Sequence, residues 1–175
     1  MKRLLTLALL ACMGAHAQTA SQLVRDDLET YLDGGSSALG WQQLVTTARE
    51  LQAAYAGNEV AAGIKYGTGA DIVVSGTVQR VAMGYVALSA GERPWLRVLA
   101  YDLPEQWVAG LTPGQRVRIA CRTVRKTIVD PALRQCEPLA AYVERMVAQY
   151  VRELPRLAAA GNEGARLVQQ RAQRR

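Results

Sequence analysis

The sequence contains no phenylalanine and one histidine, His16. Its three cysteines are Cys12, Cys121 and Cys136, and no two of them form a C-x-x-C pair. His16 falls in a segment read below as a removable leader. The remainder then has no imidazole for a Ser-His-Asp triad, a Cys-His pair or a His-ligated zinc site. Without C-x-x-C spacing, thioredoxin-type chemistry and paired-cysteine zinc sites have no ligands. There is no Walker sequence and no calcium loop. Gly67-Thr68-Gly69 lacks the third glycine of a dinucleotide loop and precedes a strand where that motif must follow one. Asp26, Asp27 and Glu29 read as a solvated helix face. Beyond the N-terminus no apolar run is long enough to cross a bilayer. The reading therefore assigns no catalytic residue, no metal site and no cofactor, and expects a non-enzyme.

What the chain does have begins at its first residues. Met1-Lys2-Arg3 is a basic start, Leu4–Leu10 is an apolar run broken only by Thr6, and Ala15-His16-Ala17 is a small-x-small site. This is the layout of a secretory signal peptide cleaved after Ala17. Leu9-Leu10-Ala11-Cys12 also resembles a lipobox, with Leu10 a poor fit, so lipidation of Cys12 stands as the alternative. Either route makes the protein periplasmic or secreted. In an oxidising compartment Cys121 and Cys136 read as a disulfide. They lie 15 positions apart, and closing a loop of about 15 residues stabilises by roughly 3 kcal/mol in the chain-entropy model. The alternative is a reactive thiol at Cys121, activated by neighbouring Arg122.

Periodicity divides the rest. Residues 19–33 predict a helix, with Thr19 and Gln22 at capping-box spacing and Val24, Leu28, Tyr31 and Leu32 on one stripe. A second helix is expected from Ala38 or Trp41 to Ala56, on the stripe Leu44, Ala48, Leu51 and Tyr55. Asn58 caps a short helical segment over 59–65. Strands follow at 71–81, 85–89, 95–101, 115–124 and 132–137. A short helix is expected at 104–110, and Gly76 is expected to mark a bulge or bend. Leu133 and Cys136 are three apart and point to opposite faces unless the strand is irregular between them. After Pro138 a broad apolar stripe (Leu139, Tyr142, Val143, Met146, Val147, Tyr150, Val151, Leu154) predicts a helix that packs on the barrel, ended or kinked at Pro155. Residues 161–175 are polar and basic and are expected to be disordered.

Five strands with a bent first strand and a helix between the third and fourth form the OB-fold pattern. The expected fold class is α+β: a five-stranded OB-fold Greek-key barrel with N-terminal helices and a C-terminal helix. Its parts are a signal peptide (1–17), an N-terminal helical segment (18–57), the barrel (58–138), a C-terminal helix (139–160) and the basic tail (161–175). Residues 55–137 resemble the tRNA-anti-like OB-fold family of short exported bacterial proteins. The resemblance rests on Asn58-Glu59, Ala61, Lys65-Tyr66-Gly67, Val74-Ser75-Gly76-Thr77-Val78, Leu111, Gly114, Val117, Cys121 and Cys136. That family's name implies a fold like that of anticodon-binding domains. It implies no activity, and no catalytic residue carries over.

The net charge of +6 is unevenly placed. Residues 18–59 carry −4, and the hairpin 116–134 carries +5. That hairpin holds Arg116, Arg118, Arg122, Arg125, Lys126 and Arg134, with Asp130 its single acid. The functional reading is an anion-binding rim at this hairpin, with Trp95, Arg97 and Tyr101 as a stacking face. The competing reading is a strand face neutralised by the acidic N-terminal segment. Export argues against a nucleic-acid partner, so the expected partner is an anionic ligand or an envelope protein, with no transmembrane segment. One alternative function is a structural subunit using the helical stripes 44–55 and 139–154. The other is an enzyme with carboxylate or thiol chemistry, for which Asp71, Asp102 and Asp130 are the candidate carboxylates.

The leader reading has a direct check. Intact mass of the exported protein is expected to match an unlipidated chain beginning at Gln18, and a diacylated Cys12 at the N-terminus overturns it.

Overall fold

The computed structural model describes residues 18–67 and 69–173. The leader read at 1–17 and the alternative lipidation site Cys12 lie outside the described residues. Helix α1 (Ala20–Leu32) starts where the Thr19 hydroxyl accepts the Gln22 N–H, and it buries Val24, Leu28 and Leu32. The expected second helix is shorter than its stripe. Leu44–Thr47 form a strand, β1, and helix α2 (Ala48–Gly57) begins only after it. The correction has a local cause. Val45, Thr46 and Thr47 are β-branched and pair in parallel with the next strand, while Thr47 and Glu50 close a capping box that fixes the helix start at Ala48. Asn58 caps helix α3 (Glu59–Tyr66) as expected.

The barrel is built from β2 (Ile72–Ala82), β3 (Tyr85–Ser89), β4 (Arg97–Tyr101), β5 (Arg116–Lys126) and β6 (Pro131–Pro138). The order is β2-β3-β4-β6-β5, closed by β5 pairing back onto β2. β4 and β6 are parallel and the other barrel pairs antiparallel. Helix α4 (Glu105–Ala109) lies between the third and fourth barrel strands. This is the OB-fold architecture. β1 extends the sheet on the same edge of β2 that β3 occupies farther along.

Irregularity in β2 falls between Val78 and Arg80 and not at Gly76. Gly76 serves a different need. A Cβ there would lie 3.2 Å from Ala48 Cβ and 3.1 Å from Leu88 Cβ, so its absence lets the start of α2 close one end of the barrel. The interior is filled by Ile72, Val74, Val86, Leu88, Val98, Ile119 and Leu133, capped by Leu51, Tyr55 and Tyr66.

Leu133 and Cys136 both face this interior, and no residue is inserted between them. Cys121↔Cys136 and Val124↔Leu133 keep one register, while both strands turn together at Arg122 and Gln135. Gln135 adopts φ 53°, a left-handed conformation that costs a non-glycine residue energy. Its N–H donates to the Asp102 carboxylate at 2.9 Å, which holds the turn in place. Cys121 and Cys136 sit opposite one another and are joined by a disulfide. The thiols that a reactive-cysteine reading requires are consumed by it.

A second core lies outside the barrel. Val73 and Ala120, cross-strand partners on the outer face of β2 and β5, are buried in one cluster with residues of α1, α5 (Leu139–Ala159) and α6 (Glu163–Gln173), where α6 packs on α1 and α5. α5 runs through Pro155 to Ala159, with Leu154 buried before the proline and Ala158 buried beyond it. α6 corrects the expectation of a disordered tail. Asn162 caps it by accepting the Ala165 N–H, and Ala165 and Val168 are buried against the helical layer. Gly164, Ala165 and Val168 give this helix a packed face, and tertiary packing of such a face is what stabilises a short helix in a protein. Gly164 is the contact point: a Cβ there would sit 2.4 Å from the Ala38 carbonyl oxygen.

Gly164→Ala is therefore expected to destabilise the protein by about 1–3 kcal/mol, read in chemical denaturation, because the obstructing atom is backbone. An unchanged midpoint would show that α6 does not pack there.

Candidate ligand cleft

The sequence-predicted cations divide according to which neighbours they meet. Arg118 is held by the end of α1: its guanidinium donates to the Leu32 carbonyl and pairs with Asp33 at 2.6 Å. Lys126 pairs with Glu59 at the start of α3, at 2.7 Å. Arg97 pairs at 2.8 Å with Asp130, a carboxylate 3 % exposed whose second oxygen is buried without a hydrogen-bond partner among the described residues. Arg134 lies 3.6 Å from Asp102 and 4.0 Å above the Tyr101 ring. Arg116, Arg122 and Arg125 are exposed and have no ion pair or side-chain hydrogen bond among the described residues.

The expected stacking face is split. Trp95 precedes β4, in the turn, and is 61 % exposed, with Arg93 over its ring at 5.7 Å. Tyr101 instead meets Tyr85, its cross-strand partner on β3, at 5.7 Å between centroids. Trp95 and Tyr101 form no shared platform with Arg116 or Arg118.

Arg116 and Arg118 do share a site. They project from the outer face of β5 opposite Thr77 and Ser75 of β2, and Thr77 is in turn opposite Ser89 of β3. These side chains floor a cleft of about 860 Å³. Its walls are the start of α2, including Arg49, the first residues of α5, and Trp107 of α4. Every charged side chain lining it is an arginine. Arg49 and Trp107 were missed by sequence reasoning, which had no means of bringing residue 49 or 107 to β5. The partial signal was Ser75-Gly76-Thr77, small polar residues alternating on a strand otherwise rich in valine.

The cleft's α2 wall is fixed by Glu50. Its carboxylate accepts the Thr47 N–H at 2.9 Å and the Thr46 and Thr47 hydroxyls at 3.1 Å. The backbone hydrogen bond first, and then the two hydroxyls, hold this carboxyl below its ordinary range.

Asp71, Asp102 and Asp130 do not act on one another; each meets a different arginine, Arg145, Arg134 and Arg97 respectively. Among the described residues no group of three or more His, Cys, Asp or Glu side chains is placed to hold a metal, and no helix is long and apolar enough to cross a membrane. No family model matches the chain, and neither the curated proteins nor the solved structures contain a match.

The Glu50 contacts imply a pH dependence. A carboxyl depressed in the native state stabilises above its unfolded pKa, and that contribution is lost as pH falls through the native value. Glu50→Gln is expected to be less stable than the parent at pH 7, with the gap narrowing as pH drops below about 4.5, the unshifted value. A gap independent of pH in urea titrations would remove the carboxylate from this role.

Proposed function

We propose that this chain is an exported, non-enzymatic OB-fold binding module for an anionic ligand, within the tRNA-anti-like family that it resembles. One observation carries the reading. β5 presents Arg116, Arg122 and Arg125 to solvent with no partner among the described residues, beside other cations that the fold neutralises. Guanidinium groups left free on a rigid strand are pre-positioned donors for carboxylate, sulfate or phosphate. The disulfide accords with an oxidising compartment. The structural-subunit alternative loses its motive, because Ala48, Leu51 and Tyr55 face the barrel core, and Val143, Val147 and Leu154 face the helical core. The carboxylate-enzyme alternative lacks convergent acids among the described residues.

The test uses a sulfated polysaccharide resin at low salt. The protein is expected to be retained and released by added salt, as exposed charge contacts require. Arg122→Ala with Arg125→Ala should weaken retention about tenfold at low salt. Retention unchanged by the double substitution overturns the anion-binding reading at this hairpin.

A further inference from the structure

We propose that the cleft between β5, α2 and α5 is a binding site for a small polyhydroxylated molecule carrying an oxyanion, chemically a sugar acid or a sugar phosphate. This deepens the binding-module reading. It concerns a different surface from Arg122 and Arg125, which do not line the cleft.

Three properties of the cleft select this chemistry. Its volume of about 860 Å³ suits a compact solute, within the few hundred to about 1,000 Å³ of small-molecule sites. Its cations are Arg49 and Arg116, both exposed and unpaired among the described residues, with no acid in the lining to compete for them. Planar guanidinium groups bind carboxylate and phosphate in paired hydrogen bonds. Arg118 also lines the site, but its charge is balanced by Asp33 and two of its five N–H donors are taken by Asp33 and the Leu32 carbonyl, so the two unpaired arginines lead the recognition.

The floor supplies the remaining chemistry. Ser75, Thr77 and Ser89 come from adjacent outer positions on β2 and β3. The Ser89 hydroxyl donates to the Gly91 carbonyl at 3.0 Å and keeps its lone pairs for a ligand hydroxyl. The Ser75 hydroxyl points to the Thr46 carbonyl at 3.5 Å, a weak contact that a ligand can replace. A row of hydroxyls that both donate and accept matches a ring bearing hydroxyls, and an inorganic ion would leave most of them unused. Trp107, half-buried at the edge, adds an apolar face against which the C–H side of such a ring can lie. The same row excludes a long apolar ligand, because burying unpaired hydroxyls costs energy.

Titration calorimetry with glucuronate, glucose 6-phosphate, glucose and inorganic phosphate tests this on the mature, oxidised protein. One or both acidic sugars should bind saturably, with glucose and inorganic phosphate each at least tenfold weaker; the tighter acid identifies carboxylate or phosphate as the recognised group. Arg49→Ala with Arg116→Ala should weaken that binding by about tenfold or more. The unfolding midpoint should not move, since both side chains are exposed and unpaired. Arg122→Ala with Arg125→Ala should leave it intact. The inference is overturned if neither acid binds saturably, if inorganic phosphate binds as tightly as both, or if the Arg49 and Arg116 substitutions change nothing. Failure here with polyanion retention still dependent on Arg122 and Arg125 removes only the cleft. Acid-sugar binding with retention insensitive to those two residues removes only the hairpin rim.

Discussion

The helical layer of α1, α5 and α6 depends on a two-residue apolar window in the barrel wall. Val73 and Ala120 face each other across β2 and β5 on the outer surface, and both are buried. The next outer positions along these strands are Ser75, Thr77, Arg116 and Arg118, which cannot be covered by an apolar helix without losing hydration. The helical layer therefore docks at one place. Leu28 and Tyr142, both fully buried, and Val143 close over the window, and truncating a leucine in such a setting costs about 2–5 kcal/mol. Once α5 is seated there, its first residues overhang the polar positions of β2 and β5. The cleft follows from that change of polarity between Val73 and Ser75.

The ion pairs between the N-terminal segment and the barrel act on geometry more than on stability. Asp33 meets Arg118 and Glu59 meets Lys126, so the acidic stretch and the basic hairpin answer each other across the fold. Pairs this exposed contribute about 0–1 kcal/mol each. Arg118 also donates to a carbonyl at the end of α1, where the helix dipole favours a cation. Its value lies in fixing one guanidinium at the cleft floor through Asp33 and the Leu32 carbonyl.

The barrel was legible because its strands carry short-range signals. β-branched runs, turns at Gly84 and Pro113-Gly114, and the Cys121–Cys136 spacing each act over a few residues. The errors arose where a helical period and a tertiary partner disagreed. Leu44 fits the α2 stripe, yet the parallel ladder with β2 holds it extended, and that ladder is invisible from residue 44 alone. The tail reads as polar because only Gly164, Ala165 and Val168 of α6 are buried, a face too small for composition to register. At the site, the hairpin arginines were evident as a charge run, but the division into paired and free members was not. It depends on where Asp33, Glu59, Asp102 and Asp130 arrive in space. Arg49 reaches the same cleft only through the β1–α2 junction, which the helical reading had erased.

The choice between the cleft and the aromatic face turns on what a ligand must displace. OB-folds commonly bind on the outer face of their second and third strands. Here that face holds Tyr85 and Tyr101, and Arg134 already lies 4.0 Å over the Tyr101 ring. An incoming flat group gains about 1–3 kcal/mol from stacking on an aromatic side chain. It must first forfeit a cation–π contact of about 0.5–1 kcal/mol and disturb the Asp102 contacts that support the turn at Gln135. Arg97 at the other end of β4 is bound to a buried carboxylate, and turning it outward would strand that charge. In the cleft, Arg49 and Arg116 release only water. With comparable gains on the two surfaces, the one whose cations are unspent in the free protein is the better anion site, because no ion pair or cation–π contact has to be given up there.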